Sequence, residues 1–166
     1  MTESSDRNDP ISADLAAALT REHREIDAGI EAFVAGLDAG VVEPEPLLNA
    51  FVALRRHIYL EEECLFPPIR EAGLMMPVFV MVREHGALWQ AMDALTGLLD
   101  GAADDGAPAV AACRELLAQL DQHNSKEEPI IYPRAETDLS ADTAATLTEF
   151  LRTGATPDGW VCEAAR

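Results

Sequence analysis

Apolar residues recur at helical spacing in four long stretches of the chain. Leu15, Leu19, Ile26, Ile30, Phe33 and Leu37 mark the first, which Ser12 can cap and Gly40 ends. Pro44 and Pro46 open the second, whose stripe of Leu47, Phe51, Leu54, Ile58 and Leu65 runs until Pro67 and Pro68. The third begins near Pro77, carries Met81, Val82, Leu88, Met92, Leu95 and Leu99, and stops at a turn from Gly101 to Gly106. The fourth begins near Pro108 with Val110, Cys113, Leu117 and Leu120, and its pattern becomes irregular from Pro129 to Pro133. Ser140 then caps a short fifth helix reaching about Arg152, followed by a loose tail with Trp160 and Cys162. Four long amphipathic helices joined by short links bury their stripes by packing antiparallel around one axis. The expected fold is therefore all-α: a disordered segment at 1–11, an antiparallel four-helix bundle at 12–135, and a short additional C-terminal helix and tail at 136–166.

Composition narrows the function. With 166 residues and 48% apolar content the chain can build one domain around one core, and 5% aromatics favour packed helices over a sandwich or barrel. A net charge of −18 repels phosphate backbones and anionic lipid, which argues against nucleic acid and membrane partners and favours cations. No apolar stretch is long enough to cross a bilayer, and Met1–Pro10 is polar without the basic and apolar regions of an export signal, so the chain reads as cytoplasmic. Cys64, Cys113 and Cys162 are widely spaced and read as reduced, core-filling thiols.

The four histidines carry the chemistry. His23 and His85 occupy steps of the first and third stripes that apolar residues should fill. The second stripe includes His57 and Glu61, and the fourth His123 and Glu127. Residues four apart on a helix differ by about 40° in azimuth, so each His-x-x-x-Glu pair can reach one centre. Burying two carboxylates costs several kcal/mol each unless something positive lies beside them, and Arg55, Arg56 and Lys126 are offset from the stripes. A metal centre resolves the conflict. Arg-Glu-His recurs at 21–23 and 83–85, and His57, Glu61, Glu62, Phe66 and Pro67 are matched at equal offsets by His123, Glu127, Glu128, Tyr132 and Pro133. Two related helical hairpins are implied, with a pseudo-twofold axis generating a pair of metal sites. Two octahedral ions need about twelve coordination positions, and four imidazoles, two bridging glutamates and one oxo or hydroxo bridge would fill all but about two of them. The mixed nitrogen and oxygen set suits two iron ions, with manganese or zinc as substitutes. An open di-iron pair would bind or reduce dioxygen, peroxide or nitric oxide.

On these residues the sequence resembles the hemerythrin family, specifically the bacterial hemerythrin-like domains with an HHE cation-binding motif, over roughly residues 13–135. The resemblance implies a four-helix bundle around a non-haem di-iron centre held by His23, His57, Glu61, His85, His123 and Glu127, with bridging carboxylates. Oxygen-carrying members have a further histidine four residues after the one on the third helix, where this chain has Trp89. Members with the reduced histidine set resemble iron- and oxygen-responsive sensors, peroxide-decomposing proteins or iron-centre repair proteins. The expected function is a di-iron protein that binds and reacts with a small diatomic ligand or peroxide, with catalase-like peroxide decomposition as the candidate activity. The alternative is a sensor or repair protein acting through a partner. Trp89 and Asp27, each one turn from a histidine, are candidates for lining the pocket. Glu62 and Glu128 lie about 100° round from the ligands and are expected to be solvated, so Glu62→Ala is expected to keep metal. Glu22 and Glu84 are expected to face outward, or to orient an imidazole of a neighbouring helix.

Overall fold

The computed structural model describes the backbone of residues 10–101 and 106–166, and the side chains from residue 15 onward within those limits. The described residues are all-helical, without a strand: α1 (Pro10–Asp38), α2 (Glu45–Leu60), α3 (Phe66–Glu71), α4 (Met75–Asp100), α5 (Ala107–Ile130), α6 (Tyr132–Asp138) and α7 (Ala141–Thr153). A π-helical turn, Glu61–Leu65, joins α2 to α3, and a 3-10 turn, Glu163–Ala165, lies near the C-terminus. The segment expected to be disordered lies outside the described residues up to residue 9. From Pro10 the chain is already helical, so Ser12 lies inside α1 and does not precede it. The turn after Gly101 likewise falls mostly outside the described residues.

Pro67 and Pro68 do not end the second helix. Pro67 and Pro68 sit in the first turn of α3, where a missing N–H is harmless, and the helical path continues to Glu71. The continuation is made by the π turn, in which the Phe66 N–H donates to the Glu61 carbonyl five residues back. One extra residue in the turn lets Glu61, Leu65 and Phe66 all face inward. The irregular stretch at 129–133 is the junction of α5 and α6, with Pro129 inside α5 and Pro133 in the first turn of α6. The buried stripe of α5 is Ala109, Cys113, Leu116 and Leu120, one residue out of phase from the expected Val110 and Leu117 at two of its steps.

Helix α1 packs along α2 and α5, and α4 packs along α5 and α2. Two apolar cores result. One gathers Ile26, Ile30, Phe33, Phe51, Leu54 and Trp89 with their neighbours, and the other gathers Leu15, Leu19, Phe66, Met81, Tyr132 and Leu147 with theirs. The polar stripe residues His23 of α1, His57 of α2, Glu61 of the π turn, His85 of α4 and His123 and Glu127 of α5 lie at the boundary between the two, and all six are buried. No described helix is long and apolar enough to cross a membrane.

The C-terminal segment is fixed to this body. Ser140 caps α7 by accepting from the Thr143 N–H. Arg56 donates to the carbonyls of Phe150, Leu151 and Gly154 at 2.6–2.8 Å, so α2 supplies the donors that the end of α7 lacks. Beyond it, Trp160 packs edge-on against Tyr59 and Trp89 and donates its indole N–H to Glu63. The final turn presses on Gly86 of α4, where a Cβ would stand 2.7 Å from Ala164 Cβ and 3.0 Å from its carbonyl oxygen. Gly86→Val is expected to unseat this turn at a cost of about 1–3 kcal/mol. A red shift of tryptophan emission and new proteolytic cleavage after residue 154 would report it; an unchanged emission spectrum and cleavage pattern would show that the tail does not depend on this contact.

Candidate metal centre

Six side chains converge where the stripes cross the boundary between the cores. Ligand atoms of His23, His57, Glu61 and Glu127 lie within 4.8 Å of one another, and so do those of Glu61, His85, His123 and Glu127. The two groups share both carboxylates. Glu61 divides its oxygens between them, with Oε1 2.9 Å from His57 Nε2 and Oε2 3.2 Å from His85 Nε2. Glu127 Oε2 stands 3.3 Å from both His23 Nε2 and His123 Nε2. The His-x-x-x-Glu spacing, from α2 into the π turn and within α5, places each carboxylate one turn beyond its own imidazole, as a helical repeat of 3.6 residues dictates.

Every imidazole is held from behind by a carboxylate on the next helix. His57 Nδ1 lies 2.8 Å from Glu22 on α1, and His85 Nδ1 lies 2.9 Å from Glu62 of the π turn. His123 Nδ1 is 2.9 Å from Glu84 on α4, and His23 Nδ1 is 2.9 Å from Glu128 on α5. The four bonds close a ring around the bundle. A carboxylate only accepts, so each Nδ1 carries the donated proton, and each Nε2 of a neutral ring turns its lone pair toward the centre. Glu22 is also held by Arg56 at 2.6 Å, Glu84 is paired with Lys126, and Glu62 accepts from the Glu163 N–H at 2.9 Å.

Tyr132 enters the same centre. Its hydroxyl lies 2.8 Å from His23 Nε2, 3.0 Å from His57 Nε2 and 2.8 Å from Glu61 Oε1, and its ring stacks on His23 at a centroid distance of 5.5 Å. Beside the imidazoles is a cavity of about 10 Å³, room for about one water. Its apolar wall is Ile26, Leu54, Ile58, Leu88 and Leu120, and Asn124 stands at its edge.

The donor set fits a cation. Carboxylate oxygens facing imidazole lone pairs at about 3 Å repel unless a proton or a positive ion lies between them. Buried Glu61 Oε2, His85 Nε2 and Glu127 Oε1 have no hydrogen-bond partner among the described residues. Burial alone would push the His123 ring down, but Glu127 and Glu84 outweigh it and hold its pKa up at about 10. His57 is likewise raised well above the ordinary imidazole value, against burial, by Glu61 and Glu22. Glu61 is held well below the usual carboxylate range, again against burial, by His57 and His85. In metal-free protein the centre compensates its charge with protons, and a bound ion would displace them.

The hemerythrin HHE cation binding domain matches residues 10–135, a stretch containing all six side chains. The chain belongs to this family. The iron-sulfur cluster repair protein YtfE of Yersinia pestis (strain Pestoides F) is 31% identical over 91 residues, and so is that of Yersinia pseudotuberculosis serotype O:1b (strain IP 31758). Each match covers 49% of this chain and 41% of the relative, so the chain spans less than half the length of these curated relatives. No solved structure matches the chain.

Several residues of this hemerythrin HHE domain differ from expectation. Glu62 and Glu128 are not free surface carboxylates, because a side chain turned 100° from the bundle axis faces the adjacent helix. Glu22 and Glu84 take the orienting alternative. Trp89 and Asp27 stand outside the cavity. Trp89 is buried in the core under Arg55, with the guanidinium 5.1 Å from the ring centroid, and packs against Trp160. Asp27 is half-buried with Oδ1 unpartnered among the described residues. Burial, and then Glu31, Asp121 and Glu128, push its pKa up to about 6 against the pull of His23. Tyr132 was visible in the sequence only as the counterpart of Phe66 in the repeat.

The orienting role reverses one expectation: Glu62→Ala, which frees His85 Nδ1, is expected to weaken metal binding about 10–100-fold, measured by competition with a chromophoric chelator. Unchanged affinity would show that the Glu62 contact does not orient His85 for the ion. The metal-free protein should also be most stable between about pH 4.5 and 6.5. Glu84 has its pKa lowered from 4.5 to about 2 by His123, against burial, and with help from Lys126, so its contribution is present above 4.5 and lost as pH falls toward 2. His123 is raised from 6.5 to about 10, so its contribution is complete below 6.5 and lost as pH rises toward 10. Thermal unfolding of chelator-stripped protein across this range checks both limbs, and a flat profile would refute them.

Proposed function

We propose that the chain is a non-haem di-iron protein of the hemerythrin type that binds and reacts with dioxygen, peroxide or nitric oxide. In this reading residues 12–135 form an antiparallel four-helix bundle, and 136–166 is an appended helix and tail. His23 and His57 would hold one ion and His85 and His123 the other, with Glu61 and Glu127 shared between them. Manganese and zinc suit the same donors as substitutes. The observation that carries the reading is the division of Glu61, whose two oxygens face imidazoles of different halves.

Bound iron would supply an electron-transferring Lewis acid at the buried centre. The protein's own part is to fix four imidazoles through the carboxylate ring, to keep Nε2 free for the ion, and to exclude bulk water with an apolar wall. The small cavity admits species of about the size of water, which suits diatomic ligands and peroxide better than an organic substrate. Trp89, standing where oxygen carriers of the family have a histidine, has no nitrogen lone pair to offer and is turned into the core, which weighs against simple oxygen storage.

Repair of iron centres, or sensing through a partner, is the second reading. It is favoured by the similarity to proteins named for iron-sulfur cluster repair. The two readings share the metal centre and differ in turnover.

Purified protein loaded with ferrous iron is expected to hold two irons per chain and to develop near-ultraviolet absorption in air. His57→Ala and Glu127→Ala are expected to lose most of that iron while remaining helical by circular dichroism. Equal iron content in wild type and both variants would reject the ligand set. Multiple turnovers of added peroxide would favour the first reading, and full occupancy without turnover the second.

A further inference from the structure

The two halves of the centre are related by the repeat, and one oxygen atom breaks their equivalence. Phe66 and Tyr132 follow Glu61 and Glu127 at the same offset, and each ring stacks on an imidazole: Phe66 on His85 and Tyr132 on His23, both with centroids 5.5 Å apart. The rings are equivalent plugs. The Tyr132 hydroxyl has no counterpart.

That hydroxyl is fully enclosed and surrounded by donors of one half. His23 Nε2, His57 Nε2 and Glu61 Oε1 lie at 2.8, 3.0 and 2.8 Å, and Glu127 Oε2 lies at 3.3 Å. A phenol has one hydrogen to donate, and neither a carboxylate nor the lone-pair side of an imidazole can donate one back. With neutral imidazoles, hydrogen bonding alone therefore leaves most of the five converging atoms facing one another through lone pairs; protons on Nε2 relieve this in metal-free protein, and a bound ion would take their place. The spacing of these atoms has a simpler origin. First-row ions hold nitrogen and oxygen at roughly 2.0–2.2 Å, so neighbouring vertices of an octahedron are about 2.8–3.1 Å apart. The phenol oxygen keeps that distance from three atoms and exceeds it slightly for the fourth, as donors shared by one ion would.

We propose that the Tyr132 oxygen is a fifth protein donor to the metal held by His23 and His57, while the His85 and His123 metal has four. This rests on the metal centre proposed above. The ion replaces the hydroxyl proton, which is released to solvent. The two ions are then chemically distinct, and the one beside Phe66 retains more positions for an external ligand.

The chain has two tyrosines, and Tyr59 packs on Phe150 and Trp160 away from the centre, so the assignment can be read by spectroscopy. Full-length protein is loaded with ferrous iron, oxidised in air, and assayed for iron content, visible absorption and resonance Raman scattering. Wild type should show two irons per chain and a visible phenolate-to-iron charge-transfer band with enhanced tyrosine ring modes. Tyr132→Phe should lose the band and bind one of its two irons at least tenfold more weakly, whereas Tyr59→Phe should keep both. Phe66→Tyr should roughly double the band. A two-iron wild type without the band, or a Tyr132→Phe protein that retains it, overturns the fifth donor and leaves the metal centre standing. A wild type that binds no iron overturns both.

Discussion

Two fully buried carboxylates set the terms for everything around them. Glu61 and Glu127 have no exposed surface and lie where two apolar cores meet. An uncompensated charge in such a place costs more than a domain of this size can spare. Their compensation is layered. Four imidazoles face them directly, four further carboxylates hold those imidazoles from behind, and Arg56 and Lys126 neutralise two of the outer acids. Six carboxylates around four imidazoles make the centre a cation receptacle before any particular ion is considered.

The outer carboxylates also tie the helices together. Each imidazole is on one element and its acceptor on another: His57 of α2 on Glu22 of α1, His85 of α4 on Glu62 of the π turn after α2, His123 of α5 on Glu84 of α4, and His23 of α1 on Glu128 of α5. A shift of any helix along its axis by one residue, about 1.5 Å, would break two of these bonds together. Packing of leucines tolerates such sliding far better than a ring of directed hydrogen bonds does. The polar layer therefore fixes the register of the bundle, and the register in turn positions the Nε2 atoms.

The helical period of the sequence revealed the inward residues because histidines and glutamates stood at steps that apolar residues should fill. It was blind to the ring around them. For Glu62 and Glu128, an angle of 100° from the ligands means solvent on an isolated helix but a neighbouring helix in a packed one. Tyr132 was hidden by the irregularity that made the 129–133 stretch hard to read: Pro129 and Pro133 flank a junction at Ile131, which turns the ring back toward His23. The prolines after Glu61 misled in the same way. They look like a stop signal, yet the π turn carries the helix through them, and an i to i+5 hydrogen bond leaves no trace in hydrophobic periodicity.

Trp89 is better understood from what it holds than from the nitrogen it lacks. Its indole fills the core beside the centre and offers an edge to Trp160, and Trp160 anchors a tail whose last turn donates the Glu163 N–H to Glu62. Glu62 is the acceptor that orients His85. A histidine at position 89 would replace a large apolar contact with a polar ring and remove the surface on which Trp160 rests. The C-terminal segment and Trp89 are in this sense one arrangement: the imidazole of His85 is steadied, through Glu62, by the end of the chain.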